Sequence, residues 1–198
     1  MAAAFHSRMW VMPPIFSSAP KGPVPVRVAI FLYFITRRAL AKRGVLAAAV
    51  TVSRRGYRLA TTWYPFSWLV DLNHGVVNVL GKGDRSILRA AGRQTANANL
   101  ATIFRAFDRD DPHKFFRFSA LLHTQFQDFG SATYEQTGET QGRMHHRHYR
   151  CFSPYHCESS AGYYEQCALM HGVSGLTVEE VACQCMDDRT CTFDIRWD

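Results

Sequence analysis

The sequence predicts an α+β fold in which N-terminal and central helices pack on an antiparallel sheet that ends in a clasped C-terminal hairpin. Three observations carry this. From Phe66 to Phe126 apolar residues recur at helical spacing. After Gly130 the period changes to short strands, residues 131–137 and 143–149, about a turn at 138–142. A further helix then crosses to a last hairpin, and helices followed by strands argue for an α+β layer arrangement.

Residues 1–25 contain Pro13-Pro14, Pro20, Pro23 and Pro25 with little periodicity and read as a flexible arm. The rest, 26–198, reads as one domain, since a chain of 198 residues supports one real core and is short for two. Residues 26–49 mix apolar positions with Arg and Lys and read as one or two helices broken near Gly44; residues 50–60 are a strand or a loop.

Pro65 suits the first position of a helix, where no backbone donor is needed. Phe66, Leu69, Val70, Asn73, Val76, Val77 and Leu80 follow at helical spacing, and Gly81-Lys82-Gly83 stops the run. Ser86 is placed to cap a helix reaching Phe107. Asp111-Pro112 repeats the start signal for a helix that buries Phe115, Phe118, Leu121, Leu122 and Phe126 and ends at Gly130. Ser153-Pro154 opens the crossing helix, to about Gly172; residues 177–186 and 191–197 then pair about Asp187-Asp188-Arg189.

The charge is uneven. No Asp or Glu precedes Asp71, while Arg37, Arg38, Lys42, Arg43, Arg54, Arg55 and Arg58 crowd the first third. Attraction to nucleic acid is one reading. A solvated basic helix face is the plainer one, so nucleic acid is not the expected partner. The apolar run 28–36 stops at Arg37-Arg38, well short of the ~20 residues that span a bilayer. No membrane span and a cytoplasmic location are expected.

All six cysteines lie from Cys151 onward. In a reducing compartment, clustered thiols point to metal more than to disulfides. Cys157, Glu180, Cys183 and Cys191 are ligand types that zinc takes at a closed structural site. With a turn at Asp187, Cys183 and Cys191 face each other, their Cβ atoms ~4.5–5.5 Å apart. Glu180 is the difficulty. Three residues from Cys183, it points to the opposite face of a regular strand, so sharing a site requires a β-bulge or an early strand start between them. Cys185 has the matching parity and is the substitute ligand. Buried free thiols acting as small hydrophobes, or a Cys183–Cys191 disulfide, remain alternatives.

Other groups are less specific. His146 and His148 share a strand face, with His156 not far along; such a pair can hold a metal, but an exposed polar strand is the plainer reading. His74 and His123 lie on helices, where a haem would need its axial ligand. The sequence has no GxGxxG, P-loop or HExxH motif and no nucleophile elbow, so enzymatic action is not the expected function.

Cys157, Gly162-Tyr163, Glu180-Val181-Ala182-Cys183 and Cys191 together resemble the end of the 4-vinyl reductase (4VR) domain, a small-ligand-binding α+β domain of bacterial aromatic-compound sensors and of a bacteriochlorophyll-synthesis protein. The resemblance implies zinc held by Cys157, Glu180, Cys183 and Cys191. Trp63-Tyr64-Pro65, Ile103-Phe104-Arg105-Ala106-Phe107, Phe129-Gly130 and Phe193-Asp194-Ile195-Arg196-Trp197 are also similar to a paralogous family of myxobacterial proteins of unknown function. A broader likeness extends to haem nitric-oxide-binding domains. Asp187-Asp188 and Cys185 depart from the 4VR pattern. The resemblance implies a non-enzymatic module for a small hydrophobic or aromatic ligand, signalling to a partner in trans or through a homodimer. A tetrapyrrole-related enzyme or accessory protein is the alternative it carries, and nucleic-acid binding by the basic region is a second.

Overall fold

The structure is a computed structural model that describes residues 25–26, 64–102, 111–149 and 153–198. The helices expected within 26–49, the segment 50–60, the basic run, Trp63, the end of the helix expected to reach Phe107, and Cys151 lie outside these residues, as does the arm up to residue 24.

A two-residue strand β1, Pro25–Val26, pairs antiparallel with β2, Tyr64–Pro65. Pro65 therefore sits in a strand pair, and helix α1, Phe66–Gly75, begins one residue later than its proline suggested. A π-helical turn, Val76–Leu80, continues α1 up to Gly81. Helix α2 is Ile87–Thr102. Ser86 directly precedes α2, with its hydroxyl donated to Asp84 Oδ2 at 2.7 Å.

Helix α3, Pro112–Leu121, starts from Asp111, whose carboxylate accepts from the Lys114 amide at 3.1 Å, as the sequence signal requires. The expected apolar face of this helix is corrected. Leu121 is 77% exposed and Phe118 36%, while His113, Phe115, Phe116 and Ala120 are buried. His113 explains the rotation: its Nδ1 meets Tyr134 Oη at 2.7 Å and its Nε2 meets the Glu139 carbonyl at 2.8 Å. Phe116 stacks on the Tyr134 ring at 5.2 Å. The helix also breaks at Leu122, and a short helix α4, His123–Phe126, follows.

The sheet has four antiparallel strands in the order β3-β4-β6-β5: β3 Ser131–Gln136, β4 Gln141–Arg147, β5 Thr177–Ala182 and β6 Thr190–Arg196. Mixed helices on an antiparallel sheet match the expected fold class. Helix α5, Pro154–Leu169, crosses from β4 to β5. The main core joins Phe115 and Phe116 of α3, Met144 of β4, Ala161, Tyr164 and Cys167 of α5, and Phe193 and Ile195 of β6. Burying each large apolar side chain contributes about 1.5–3 kcal/mol.

Helix α5 is held very close to α2. A Cβ at Gly162 would lie 2.0 Å from the Arg89 carbonyl oxygen, and one at Gly92 would lie 2.0 Å from that of Ser159. Only glycine allows the two backbones to approach this far. Arg89 adds polar ties: its guanidinium reaches Glu158 at 2.9 Å, Glu165 at 3.0 Å and the Val178 carbonyl at 2.9 Å. So α5 is fixed laterally by α2, and its first turns are presented to the sheet. Among the described residues no helix is long and apolar enough to cross a membrane.

Candidate metal centre and ligand cavity

Three elements bring four side chains together at the end of the sheet. Cys157 comes from the second turn of α5, Glu180 from β5, Cys183 from the residue after β5, and Cys191 from β6. One ligand atom from each lies within 4.8 Å of all the others. Cys157 Sγ is 3.5 Å from Cys191 Sγ. Two thiolates bound at ~2.3 Å to a tetrahedral zinc stand about 3.8 Å apart. The cluster already has the dimensions of such a shell.

The backbone explains the gathering. Glu180 pairs with Phe193 and Ala182 with Thr192, so the register shifts between Glu180 and Ala182. A bulge there lets Glu180 and Cys183 reach one face, which regular alternation forbids. Cys183 leaves the strand altogether and precedes a 3-10 turn, Gln184–Met186; its direct strand pairing with Cys191 does not form. Instead Cys191 lies opposite His146 on β4. Asp187, at φ +67°, turns the chain, and Asp188 Oδ2 accepts the Cys183 amide at 2.8 Å. The Gln184 amide donates to Cys191 Sγ at 3.3 Å. Cys185, the substitute ligand, stands outside the four and packs half-buried against the core.

The electrostatics suit a cation. Thiols of Cys157, Cys185 and Cys191 donate toward Cys183 and hold its proton affinity down. Cys157 is pushed well above the usual thiol range by its hydrogen bonds to Cys183 and Cys191 and by burial. Glu180 is an exposed residue overall, yet burial of its carboxyl and the neighbouring Cys183 sulfur push it up to about 8. Negative charge is concentrated on one sulfur while its neighbours resist ionising, a balance that a divalent ion would reverse.

The expected His146/His148 pair is not assembled. Strand β4 ends at Arg147, and His148 is exposed in a left-handed backbone conformation at φ +56°, whereas His146 is buried. His146 belongs to a cavity that sequence reasoning missed. This space of about 150 Å³ lies between α1, α2, the α3–α4 corner, α5 and β4. Asn73 of α1, His123 of α4, Gln127, His146 of β4, Tyr149, and His156, Ser159, Ser160 and Tyr164 of α5 supply its polar lining. Tyr164 Oη pairs with His146 Nε2 at 2.5 Å, and Tyr149 Oη with His123 Nε2 at 2.8 Å.

Several lining atoms are left over. Asn73, wholly buried, has neither Nδ2 nor Oδ1 satisfied; His156 Nε2, His123 Nδ1 and Gln127 Oε1 also lack partners. Gln127 is close enough to raise the basicity of His123, but neither of those two atoms makes a bond of proper geometry. Burial lowers His146 well below the usual imidazole range, with the His156, His123 and His145 charges adding to it. His156 falls to about 4 for the same first cause. His74 lies elsewhere, against Tyr155 at 4.3 Å. The signal that could have found the cavity was Asn73, a polar residue in an apolar helical stripe.

No family model matches this sequence, and no curated protein is similar enough in sequence to count as a match. Solved structures it is similar to include H-NOX proteins. One from S. oneidensis in the Fe(II) ligation state has a TM-score of 0.62 at 12% identity over 84% of this chain and 95% of that one. An oxygen-binding H-NOX domain related to soluble guanylate cyclases, in its oxygen complex, has a TM-score of 0.61 at 15% identity, covering 85% of this chain and 93% of that one. An H-NOX structure solved to probe haem distortion has a TM-score of 0.65 at 15% identity, covering 86% and 93%. At these identities the likeness is one of fold. It agrees with the broad haem nitric-oxide-binding resemblance, and it does not reach the 4VR assignment.

Haem itself can be tested against these residues, and they do not fit it. A cavity of about 150 Å³ is the size that holds a single benzene ring, not four pyrroles. Among the described residues its lining contains no Arg or Lys to meet two propionates, and the Nε2 atoms of His123 and His146 are already engaged by tyrosines.

Proposed function

We propose that this protein is a non-enzymatic sensory module that binds a small molecule in the cavity between its helices and β4. The observation that carries the reading is the cavity itself, lined by unsatisfied polar atoms on a fold similar to that of small-ligand sensors. Zinc is held apart from it by Cys157, Glu180, Cys183 and Cys191, with Cys185 in reserve. The ion stabilises the fold by tying α5 to the last two strands, and no position is left for a reacting water. This matches the 4VR resemblance in its ligand set. Binding signals by shifting the populations of two conformations, read by a partner in trans or by a second copy of the chain.

The tetrapyrrole-related alternative loses ground because the cavity is too small for a macrocycle. The basic region proposed for nucleic acid lies outside the described residues.

Two measurements on purified full-length protein test the proposal. Elemental analysis should return one zinc per chain, lost in a Cys183→Ser/Cys191→Ser variant; a metal-free protein of full stability overturns the zinc centre. Toluene or phenol should raise the melting temperature of the metal-loaded protein by mass action. If neither does, the cavity is not a binding site for small rings.

A further inference from the structure

Asn73 is the feature that the reading above does not yet use. It sits at the wall of the cavity, with 0% of its surface exposed, and both its carboxamide donor and its carboxamide acceptor lack partners. A buried polar group without a partner is costly, and native proteins rarely keep one without a use. Here two such atoms occupy one rigid, planar side chain. The group that satisfies both at once presents an acceptor and an N–H donor side by side, which is the face of another amide. His156 Nε2, also unpaired on the same cavity, supplies a further polar point.

Charge narrows the class further. Among the described residues no Arg, Lys, Asp or Glu lines the cavity, so a carboxylate or an ammonium group meets no counter-charge from them. Size narrows it again, because about 150 Å³ takes one ring and its substituent. We infer that the ligand is a neutral single-ring carboxamide or lactam, held by paired hydrogen bonds to Asn73. The inference rests on the cavity being the ligand site and specifies what that site selects.

Benzamide, benzoate and toluene discriminate the outcomes, by calorimetry and thermal shift on the zinc-loaded full chain. At pH 8 an ordinary imidazole, with its pKa near 6.5, is neutral. Benzamide should bind at least about tenfold more tightly than benzoate, since a site built for hydrogen bonds rejects an analogue that leaves them unmade. Asn73→Leu should weaken benzamide by about tenfold or more while leaving toluene binding equal or stronger. Toluene binding also shows that the variant is folded with its cavity open. Benzoate binding as tightly as benzamide, or an Asn73→Leu variant that retains benzamide, overturns the inference and leaves the binding module standing. If none of the three probes binds, the cavity holds only ordered water, and both readings fall.

Discussion

The cysteine cluster and the cavity share a helix and differ in almost every other respect. At the start of α5, Cys157 turns to the cluster while its neighbour His156 turns to the cavity. The cluster is compact: its ligand atoms lie within 4.8 Å of one another, and Cys183 and Cys191 are braced by Asp188 and the Gln184 amide. The cavity is open at the atomic level, with five side-chain atoms at its wall unpaired. One region has the ligand geometry to close on an ion. The other gives up stability to keep bonding capacity in reserve. In the proposed reading, structure maintenance and recognition fall on adjacent residues of one helix.

The largest expected effect breaks the closed side. Removing zinc with a chelator, or introducing Cys183→Ser/Cys191→Ser, should lower the melting temperature by well over ten degrees. Structural zinc is worth about 10–16 kcal/mol in zinc-finger peptides, and calorimetry checks the loss here. Cys185→Ser should leave the zinc content unchanged, which separates the reserve thiol from the four ligands.

Next comes the joint that both regions depend on. Gly162→Val forces side-chain carbon into the Arg89 backbone. Overpacking of this kind costs about 1–3 kcal/mol or more, and chemical denaturation should show it even with zinc bound. If stability is unchanged, α2 does not hold α5 in place.

The open side should respond with the opposite sign. Asn73→Leu removes two unsatisfied buried atoms, so the unliganded protein should be as stable as the parent or up to about 1–3 kcal/mol more stable. Tyr164→Phe should destabilise instead, by about 1–3 kcal/mol, because it strips His146 of its partner inside the core. A cavity in which both variants lose stability alike is not organised around unpaired groups.

The smallest effect is that of pH. Burial lowers the pKa of His123 in the folded chain below its usual 6.5. The unfolded chain therefore takes up the proton first. The contribution of neutral His123 is present in full above pH 6.5 and is lost as pH falls through the lower, folded value. Its ring resonances in NMR should titrate with a midpoint below 6.5, and a midpoint above that value contradicts the burial argument.

The same contrast explains what could be read in the chain. The cluster was legible because Glu180, Cys183 and Cys191 lie close in sequence and carry ligand chemistry. The bulge was one of the two ways foreseen to reconcile Glu180 and Cys183 with strand alternation. The α+β order was legible from the change of period at Gly130. The face of α3 was misread because Phe115, Phe118 and Leu121 make a good helical stripe, whereas the polar ties of His113 to Tyr134 and Glu139 turn the helix elsewhere. Of the cavity only Asn73 gave a sign in the sequence. Its lining runs from Leu69 to Tyr164 and meets only once α1, α2, α5 and β4 have packed.

The register shift between Glu180 and Ala182 has a consequence for inheritance. Val181 is the extra residue here; without it Glu180 and Cys183 stand two positions apart, on one face of a regular strand. Val178 would still pair with Ile195 if that residue were deleted, so the sheet would survive the loss. A single-codon deletion there therefore leaves both the sheet and the face shared by Glu180 and Cys183 in place.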